Sequence, residues 1–341
     1  MKIGSFDLER DGVFIVAELS ANHGGDINIA KETIKVAKEC GANAIKLQTY
    51  TPDTLTLNSK RDDFIIKGGT LWDGKSLYEL YQEAYLPWEW HEELFNYARE
   101  IGIDIFSSPF DKSAVDFLEQ FNPSAYKIAS FEITDYELVR YTASKGKPII
   151  ISTGIATICE IEDVVDICRS EGNENIVLLK CTSAYPAPLE DANLKTISNM
   201  RETFGVEVGF SDHTIGSTAP VVAVALGAKV IEKHFIIDKS IGGADAKFSM
   251  EPDEFRSMVK AIRDAKKLLG RVDYSMNDKK RSSRRFARSL YVAKDIKKGE
   301  KFTEENIRSV RPSFGMHPKY LKDILGKIAT KDYKFGERFE G

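Results

Sequence analysis

Two histidines follow two short apolar runs in the second half of the chain. His213 comes just after the run 206–210, and His234 comes after the run 228–231. The segment 216–227 between them is rich in Ala and Val and is long enough for one crossover helix. Two parallel strands would therefore bring both imidazoles to the same end of one sheet. Since neutral imidazole binds several divalent metals, the pattern predicts a metal site; the alternative is two separate histidines that each hydrogen-bond to backbone.

Hydroxyl and carboxylate side chains precede both histidines. Ser211 and Asp212 stand before the first, and Glu232 stands before the second. Groups of this kind beside metal ligands commonly orient the ligands or their waters. We expect that role for all three side chains.

Two lysines lie inside runs that otherwise predict apolar strands. An unpaired ammonium at Lys46 or Lys127 would be costly to bury. Together with Ser and Thr hydroxyls and loop amides, the two lysines describe a pocket for a compact anion such as phosphate. Two alternatives stay open. One is a Schiff-base lysine, as in barrel aldolases, and the other is a salt bridge to a barrel carboxylate such as Glu18 or Glu132.

Strand patterns and helix patterns alternate eight times along the chain. The stretches between the strand patterns carry apolar residues at helical spacing, as at Ile29, Ala30, Ile34 and Ala37. This alternation predicts a parallel sheet closed into a (β/α)8 TIM barrel, with a doubly wound open sheet as the alternative. The eight apolar runs are 13–17, 44–48, 103–107, 126–130, 148–152, 176–180, 206–210 and 228–231.

Polar side chains are concentrated at the carboxyl ends of these runs. The chemistry of a parallel barrel takes place at those ends. Packing alone would not place so many polar side chains at the strand ends. The set therefore predicts an active site there. Its members are Glu18, Ser20, Asn22, His23, Lys46, Gln48, Ser107, Ser108, Lys127, Ser130, Glu132, Ser152, Thr153, Thr182, Ser183, Tyr185, Ser211, His213, Glu232 and His234.

One connection between a strand and the next helix is unusually long. Roughly forty residues separate Gln48 from the helical pattern that begins near Pro87. A loop of this length in a compact barrel is usually a lid or a specificity element. The alternative is a surface excursion with a small packing cluster of its own.

Length and local composition predict two domains. Residues 1–275 carry the alternating pattern of the barrel. The stretch 276–287 is basic and lacks apolar periodicity, as expected of a solvated linker. Short strand and turn patterns fill 288–341, which predicts a small β-rich domain that needs to pack against something larger.

Composition excludes several classes of protein. With 48 Lys and Arg against 52 Asp and Glu, the 341-residue chain has a formal net charge of -4. That balance gives no reason to expect a nucleic acid or a membrane surface as partner. The four cysteines show no CxxC spacing, which argues against a disulfide framework or a structural zinc. The apolar run 13–17 is too short for a signal sequence or a membrane span, so we expect a cytoplasmic protein.

The chain resembles the sialic acid synthase family over nearly its whole length. Each short motif is moderately specific, and their joint order is very specific. The tail, from ARSLY at 287–291 through KKGE at 297–300 to RP at 311–312, resembles the antifreeze-like (SAF) domain of that family. The barrel motifs are AELSANHG at 17–24, KLQTY at 46–50, SSPF at 107–110, YKIAS at 126–130, STG at 152–154, GFSDHT at 209–214 and EKHF at 232–235.

Within that family, the branch that makes pseudaminic acid is the most similar. The similarity lies in the long loop, at 64–69 and 71–73, in YTPD at 50–53 and in RPSFG at 311–315. Ser183 departs from the sialic branch, which has an asparagine after Cys-Thr. This departure weakens a sialic assignment and leaves one contact to phosphoenolpyruvate open.

The resemblance implies a reaction. Phosphoenolpyruvate would condense with an open-chain amino-sugar aldehyde, phosphate would leave by C–O cleavage, and the product would be a nine-carbon 2-keto acid. In the pseudaminic branch the acceptor is 2,4-diacetamido-2,4,6-trideoxy-L-altrose. Synthesis of N-acetylneuraminate or legionaminate by the same mechanism is the alternative.

The resemblance also implies roles for individual residues. A divalent metal, Mn²⁺, Mg²⁺ or Co²⁺, would bind His213 and His234, with waters and substrate oxygens filling the rest of an open sphere. The catalytic carboxylates would be Glu18, Glu232 and Asp245, with Glu18 or Asp245 as the base for the attacking water. Substrate binding would fall to Lys46, Gln48, Ser108, Lys127, Ser130, Glu132, Ser152, Ser183, Tyr185 and Ser211.

Arg311 has a role that only the resemblance implies. It matches the arginine of the Arg-Pro motif in the SAF domain. By resemblance it would reach into the partner subunit's site and contact the acyl-amino group of the sugar, which implies a domain-swapped homodimer.

Two hypotheses from other classes remain. The first is a Schiff-base aldolase or lyase on the same barrel. The second is a non-catalytic role, such as saccharide or ice binding, led by the tail. Against the second, the tail is short, and the polar barrel mouth would have no purpose.

Overall fold

The computed structural model describes residues 1–67 and 72–341. Residues 68–71, which carry part of the long-loop similarity, lie outside the described residues. The chain divides into two compact units, residues 1–270 and 271–341. Each unit is described by itself below.

Eight parallel strands of the first unit close into a barrel. They follow one another around the barrel in sequence order, and the last strand pairs with the first. This confirms the predicted (β/α)8 barrel, and the open-sheet alternative is wrong. A short antiparallel hairpin, β1 (Lys2–Ile3) and β2 (Phe6–Asp7), precedes the barrel. The barrel strands are β3 (Phe14–Glu18), β4 (Ala44–Thr49), β5 (Asp104–Pro109), β6 (Tyr126–Ile128), β7 (Ile149–Ser152), β8 (Ile176–Cys181), β9 (Glu207–Asp212) and β10 (Val230–His234).

Amphipathic helices surround the strands. The first helix begins after Asp26, whose carboxylate accepts from the backbone N–H of Asn28, and it buries the predicted apolar face. The helix between β9 and β10 is the predicted Ala- and Val-rich crossover. The helices are α1 (Ile27–Glu39), α2 (Pro52–Leu55), α3 (Leu77–Ala84), α4 (His91–Ile101), α5 (Lys112–Glu119), α6 (Tyr136–Ala143), α7 (Ile158–Ser170), α8 (Lys195–Phe204), α9 (Thr218–Ala225) and α10 (Pro252–Leu269).

The long connection after β4 contains two of these helices. Capping boxes begin both of them, formed by Thr51 with Thr54 at α2 and by Ser76 with Glu79 at α3. Near its other end, the indole N–H of Trp88 donates to the backbone carbonyl of Tyr50 at 3.0 Å. The two ends of the connection are therefore anchored together. Its predicted action as a lid stays a prediction.

The barrel interior is apolar toward the amino ends of the strands, which we call its lower part, and polar at the carboxyl ends. The lower part contains a buried cluster that includes Phe14, Phe106 and Leu179. At Gly209 a Cβ atom would lie 2.4 Å from the carbonyl oxygen of Val230 and 2.6 Å from a methyl of Leu179. Only glycine lets β9 pass this close to its neighbours in this layer.

The second unit has its own small core. It contains the antiparallel strands β11 (Ser289–Val292) and β12 (Ile307–Val310). Phe302, Tyr333 and Phe339 pack with ring centroids 5.0 to 5.7 Å apart. An exposed helix, α11 (Asp278–Arg284), lies within the segment predicted as a linker, and α12 (Leu321–Ile324) lies near the end of the chain. Within residues 1–67 and 72–341, no helix has both the length and the apolar character needed to cross a bilayer.

Candidate active site

Two lysines and two glutamates form one buried charge network at the carboxyl ends of the strands. Lys46 Nζ lies 2.6 Å from Glu18 Oε2 and 3.7 Å from Glu232 Oε2. Lys127 Nζ lies 3.9 Å from Glu232 Oε1. The predicted salt bridge from Lys46 to Glu18 is therefore present. The charge partner of Lys127 is Glu232, which the sequence did not suggest.

Burial and the lysines move the two carboxyl groups in opposite directions. Burial is the largest influence on Glu18 and raises its pKa, although Lys46 opposes that shift. Burial also acts to raise the pKa of Glu232, but Lys127 and Lys46 outweigh it and hold that pKa below its ordinary value. Burial makes Glu18 easier to protonate than an ordinary glutamate, whereas Glu232 stays ionised. With a proton on Glu18, two ammonium groups would face one negative charge, and the pocket would then favour an added anion.

Serine hydroxyls surround this charge network. Ser211 donates to Glu232 Oε1 at 2.9 Å, and Lys46 Nζ lies 3.4 Å from Ser108 Oγ. Ser183 donates to Ser130 Oγ at 2.9 Å. The buried hydroxyl of Ser152 has no hydrogen-bond partner within the described part of the chain. A ligand with several acceptor oxygens would satisfy hydroxyls placed in this way.

A glycine, Gly154, lies against the pair of serines Ser130 and Ser183. At Gly154 a Cβ atom would be 2.4 Å from Ser183 Oγ and from Cys181 Sγ, and 2.7 Å from Ser130 Oγ. A side chain there would displace both serine hydroxyls. Gly154 therefore keeps this corner of the pocket open.

The two predicted metal-binding histidines lie side by side. Their ring centroids are 5.4 Å apart. His213 donates from Nδ1 to the carbonyl oxygen of Thr182 at 3.0 Å, which leaves the lone pair on Nε2. Burial lowers the pKa of His213 to about 4 and that of His234 to about 3. Both imidazoles are therefore neutral at pH 7, as metal ligation requires.

The donor set fits a divalent ion with an open coordination sphere. The buried Nδ1 of His234 lacks a hydrogen-bond partner in residues 1–67 and 72–341, and Asp245 Oδ2 lies 3.7 Å from it. The carboxylate of Asp245 is itself held by the backbone N–H of Ala21 at 3.4 Å. Over the same residues no three or more His, Cys, Asp or Glu side chains are placed so that together they could hold a metal ion, so waters and substrate would have to supply the other ligands.

Aromatic side chains form a wall beside the histidines. The ring of Tyr185 lies 4.4 Å from that of His213. Phe248 lies 5.4 Å from Tyr185 and 4.9 Å from His234, measured between ring centroids. Trp72, from the long connection, lies 6.5 Å from Tyr185. These rings would exclude water from one side of a bound substrate.

Two of the remaining predicted residues belong to the barrel unit, and one belongs to the second unit. Gln48 is half-buried on β4, where it pairs in register with Ser108. Glu132 is half-buried just after β6, where the charge of Lys127 acts on it. Arg311 is exposed in the second unit, directly after β12.

Known families match both units. The NeuB family model matches residues 33–274, and the SAF domain model matches residues 287–337. The chain belongs to the NeuB family. This membership, together with the fold and the SAF domain, confirms the resemblance on which the sequence analysis relied.

Relatives of this NeuB chain match it almost end to end. A pseudaminic acid synthase of Campylobacter jejuni is 57% identical over 337 residues, which are 99% of this chain and 98% of the relative. A pseudaminic acid synthase of Helicobacter pylori is 54% identical, with 94% of each chain covered. The crystal structure of the spore coat polysaccharide biosynthesis protein spsE from Bacillus subtilis has a TM-score of 0.68 and 35% identity, and the match covers 99% of this chain and 97% of that one.

Sequence reasoning missed three features of the NeuB site. Phe248 gave no signal because it stands alone in a loop. Gly154 belongs to the STG motif, but its close approach to the serines depends on three separate strand ends. Asp212 was expected to orient a metal ligand or its water, and that role stays a prediction; the missed feature is its buried ion pair with Lys233 at 2.6 Å.

Glu132 makes the stability of the protein depend on pH. Burial raises its pKa to about 7, so the folded state holds a proton that the unfolded state releases near pH 4.5. Stability should therefore fall as the pH rises from about 4.5 to above 7, by roughly 1 to 3 kcal/mol. Glu132→Gln should remove that loss, as measured by urea unfolding at pH 5 and pH 8. Glu162→Gln, an exposed change on α7, serves as the control, and an unchanged pH dependence in Glu132→Gln would contradict the assignment.

Proposed function

We propose that this chain catalyses the metal-dependent condensation of phosphoenolpyruvate with 2,4-diacetamido-2,4,6-trideoxy-L-altrose, giving pseudaminic acid and phosphate. One observation carries the proposal. A pocket with two buried ammonium groups and several serine hydroxyls lies at the same barrel mouth as two neutral imidazoles. The name shared by the Campylobacter and Helicobacter relatives supports this choice of acceptor.

The lysines and serines suit phosphoenolpyruvate. Phosphoenolpyruvate carries two anionic groups, a phosphate and a carboxylate. Lys46 and Lys127 would donate charge-assisted hydrogen bonds to the oxygens of these groups. The hydroxyls of Ser130, Ser152 and Ser183 would donate to the same oxygens. Ser108 and Ser211 extend this ring of donors.

The histidine side of the pocket suits the aldehyde. A divalent ion bound by His213 and His234 would polarise the aldehyde oxygen. The wall of Tyr185, with Gln48 and Glu232 nearby, would hold the sugar chain so that its carbonyl carbon faces C3 of phosphoenolpyruvate.

The bond changes then balance within the pocket. The enol double bond of phosphoenolpyruvate supplies the pair that forms the new C–C bond, and the C=O pair of the aldehyde moves onto its oxygen. Water adds to C2, and Glu18 or Asp245 takes one proton from it and passes that proton to the aldehyde oxygen, which becomes a hydroxyl. The C2–O bond to phosphate then breaks, the phosphate leaves with that electron pair and takes the remaining proton of the water, and a ketone remains. Glu18 suits the proton transfer because burial brings its pKa toward the working pH.

Phosphate release measured with three acceptors tests the proposal. With Mn²⁺, release from phosphoenolpyruvate should require the L-altro diacetamido sugar and should stop on addition of a chelator. Release with N-acetylmannosamine or with the legionaminic precursor would keep the mechanism and overturn the acceptor. Borohydride trapping of substrate on Lys127, without any need for metal, would instead support the Schiff-base aldolase, since burial lowers the pKa of that lysine.

His234→Ala should remove metal-dependent turnover. The change deletes one of the two imidazoles and leaves a single protein nitrogen for the ion. We expect phosphate release to fall by about 100-fold or more, together with weaker Mn²⁺ binding, while the thermal midpoint stays near that of the parent. His317→Ala, at an exposed histidine of the second unit, is the control. Near-normal turnover of His234→Ala would rule out the metal assignment.

We further propose that the protein works as a domain-swapped homodimer in which Arg311 contacts the acceptor in the partner subunit's site. Arg311→Ala should then raise the KM for the sugar by roughly 10- to 100-fold, the size expected for loss of one charged hydrogen bond. The KM for phosphoenolpyruvate should change little. Arg308→Ala, three residues earlier and also exposed, is the matched control. An equal loss for both substrates would count against the swapped arrangement.

A further inference from the structure

A fully buried lysine stands between two residues of the proposed active site. Lys233 lies on β10 between Glu232 and His234, and it pairs in register with Asp212 on β9. Side chains alternate between the two faces of a strand. Glu232 therefore faces Ser211 on the inner side of the barrel, and Lys233 faces Asp212 on the other side.

The ammonium of Lys233 has a complete set of acceptors. It lies 2.6 Å from Asp212 Oδ2, and neither side chain has any exposed surface. It also donates to the carbonyl oxygen of Thr214, and the carbonyl oxygen of Gly216 lies 3.4 Å away. An ammonium has three N–H donors, so this lysine has no donor left for a ligand.

These contacts enclose the segment that carries His213. Asp212 precedes that histidine, Thr214 follows it, and the other oxygen of Asp212 accepts from the backbone N–H of Thr214 at 2.8 Å. The ring of His213 is fixed from a third direction by its bond to the Thr182 carbonyl. The same lysine is the chain neighbour of His234. One buried cation therefore ties together the two strand ends that carry the two imidazoles.

We propose that Lys233 is a positioning residue: paired with Asp212, it holds His213 and His234 at the spacing at which both can bind one divalent ion. The inference rests on the proposed function, in which a divalent ion binds the two histidines. It adds a role for a charged pair that contacts neither substrate nor ion.

General stability does not explain a charged pair at this place. A fully buried ion pair is costly to desolvate, and an apolar pair of similar size is often as stable. At the opposite end of the same two strands, Lys229, just before β10, lies 2.8 Å from Glu207 on β9, and the two side chains are 27% and 21% exposed. The Lys229–Glu207 pair joins the same two strands, but it stays partly in water and avoids most of the desolvation cost. It is therefore a control for the effect of an ion pair between these strands on metal binding.

The test is a double variant that removes both buried charges. Lys233→Met alone would leave Asp212 buried and unpaired, so it is combined with Asp212→Leu. The control is Lys229→Met combined with Glu207→Leu. Mn²⁺ binding is measured on the full-length protein without substrate, from the electron paramagnetic resonance signal of free Mn²⁺, alongside the thermal midpoint and a ligand-free crystal structure.

We expect Mn²⁺ to bind about tenfold or more weakly to the Lys233 and Asp212 double variant, as is typical when groups that orient metal ligands are removed. The backbone of 212–216 should shift and the hydrogen bond from His213 to Thr182 should be lost. The control variant should bind Mn²⁺ within about twofold of the parent. Asp212→Asn, which keeps the shape of the side chain and an acceptor oxygen for Lys233, provides a second variant should the double variant not fold, and it should weaken binding severalfold.

Binding within twofold of the parent, with 212–216 in place, would overturn the proposal. A parent protein that does not bind Mn²⁺ would instead remove the metal from the proposed function. The crystal structure then decides alone: an undisturbed 212–216 segment overturns the positioning role, and a displaced segment with His213 turned away supports it.

Discussion

Removal of four ionisable side chains from water is the constraint on which the barrel mouth depends. Lys46, Lys127, Glu18 and Glu232 have side chains no more than 7% exposed. Each would cost several kcal/mol if it were buried without partners. They can be buried only because closure of the sheet brings β3, β4, β6 and β10 to one level. The apolar layer beneath them, where Gly209 permits close packing, supports that level from below.

Glu232 belongs to both chemical halves of the site. Its carboxylate lies near both lysines and accepts from Ser211, so it helps to set the charge around the two lysines. Two residues later the same strand carries His234. A change in the conformation of β10 would therefore move Glu232, and with it the surroundings of both lysines, together with the imidazole of His234.

Much of the fold and part of the site could be predicted from the sequence because they follow from local patterns. The alternation of apolar runs predicts the barrel, and a lysine inside an apolar run needs a partner wherever it lies. The identity of that partner is a question of distance across the barrel, so Glu232 as partner of Lys127 could not be read from spacing. The contacts of Phe248 and the pairing of Lys233 with Asp212 could not be predicted for the same reason. The place of Arg311 in a partner's site depends on a second chain and stays a prediction.

The second unit has an apolar cluster of its own. Leu290, Phe302 and Phe339 belong to it, and the rings of Phe302, Tyr333 and Phe339 pack on one another. The effects of substitutions at residues in contact are not additive. Over evolutionary time, a change at one of these three rings should therefore be accompanied by a compensating change at another.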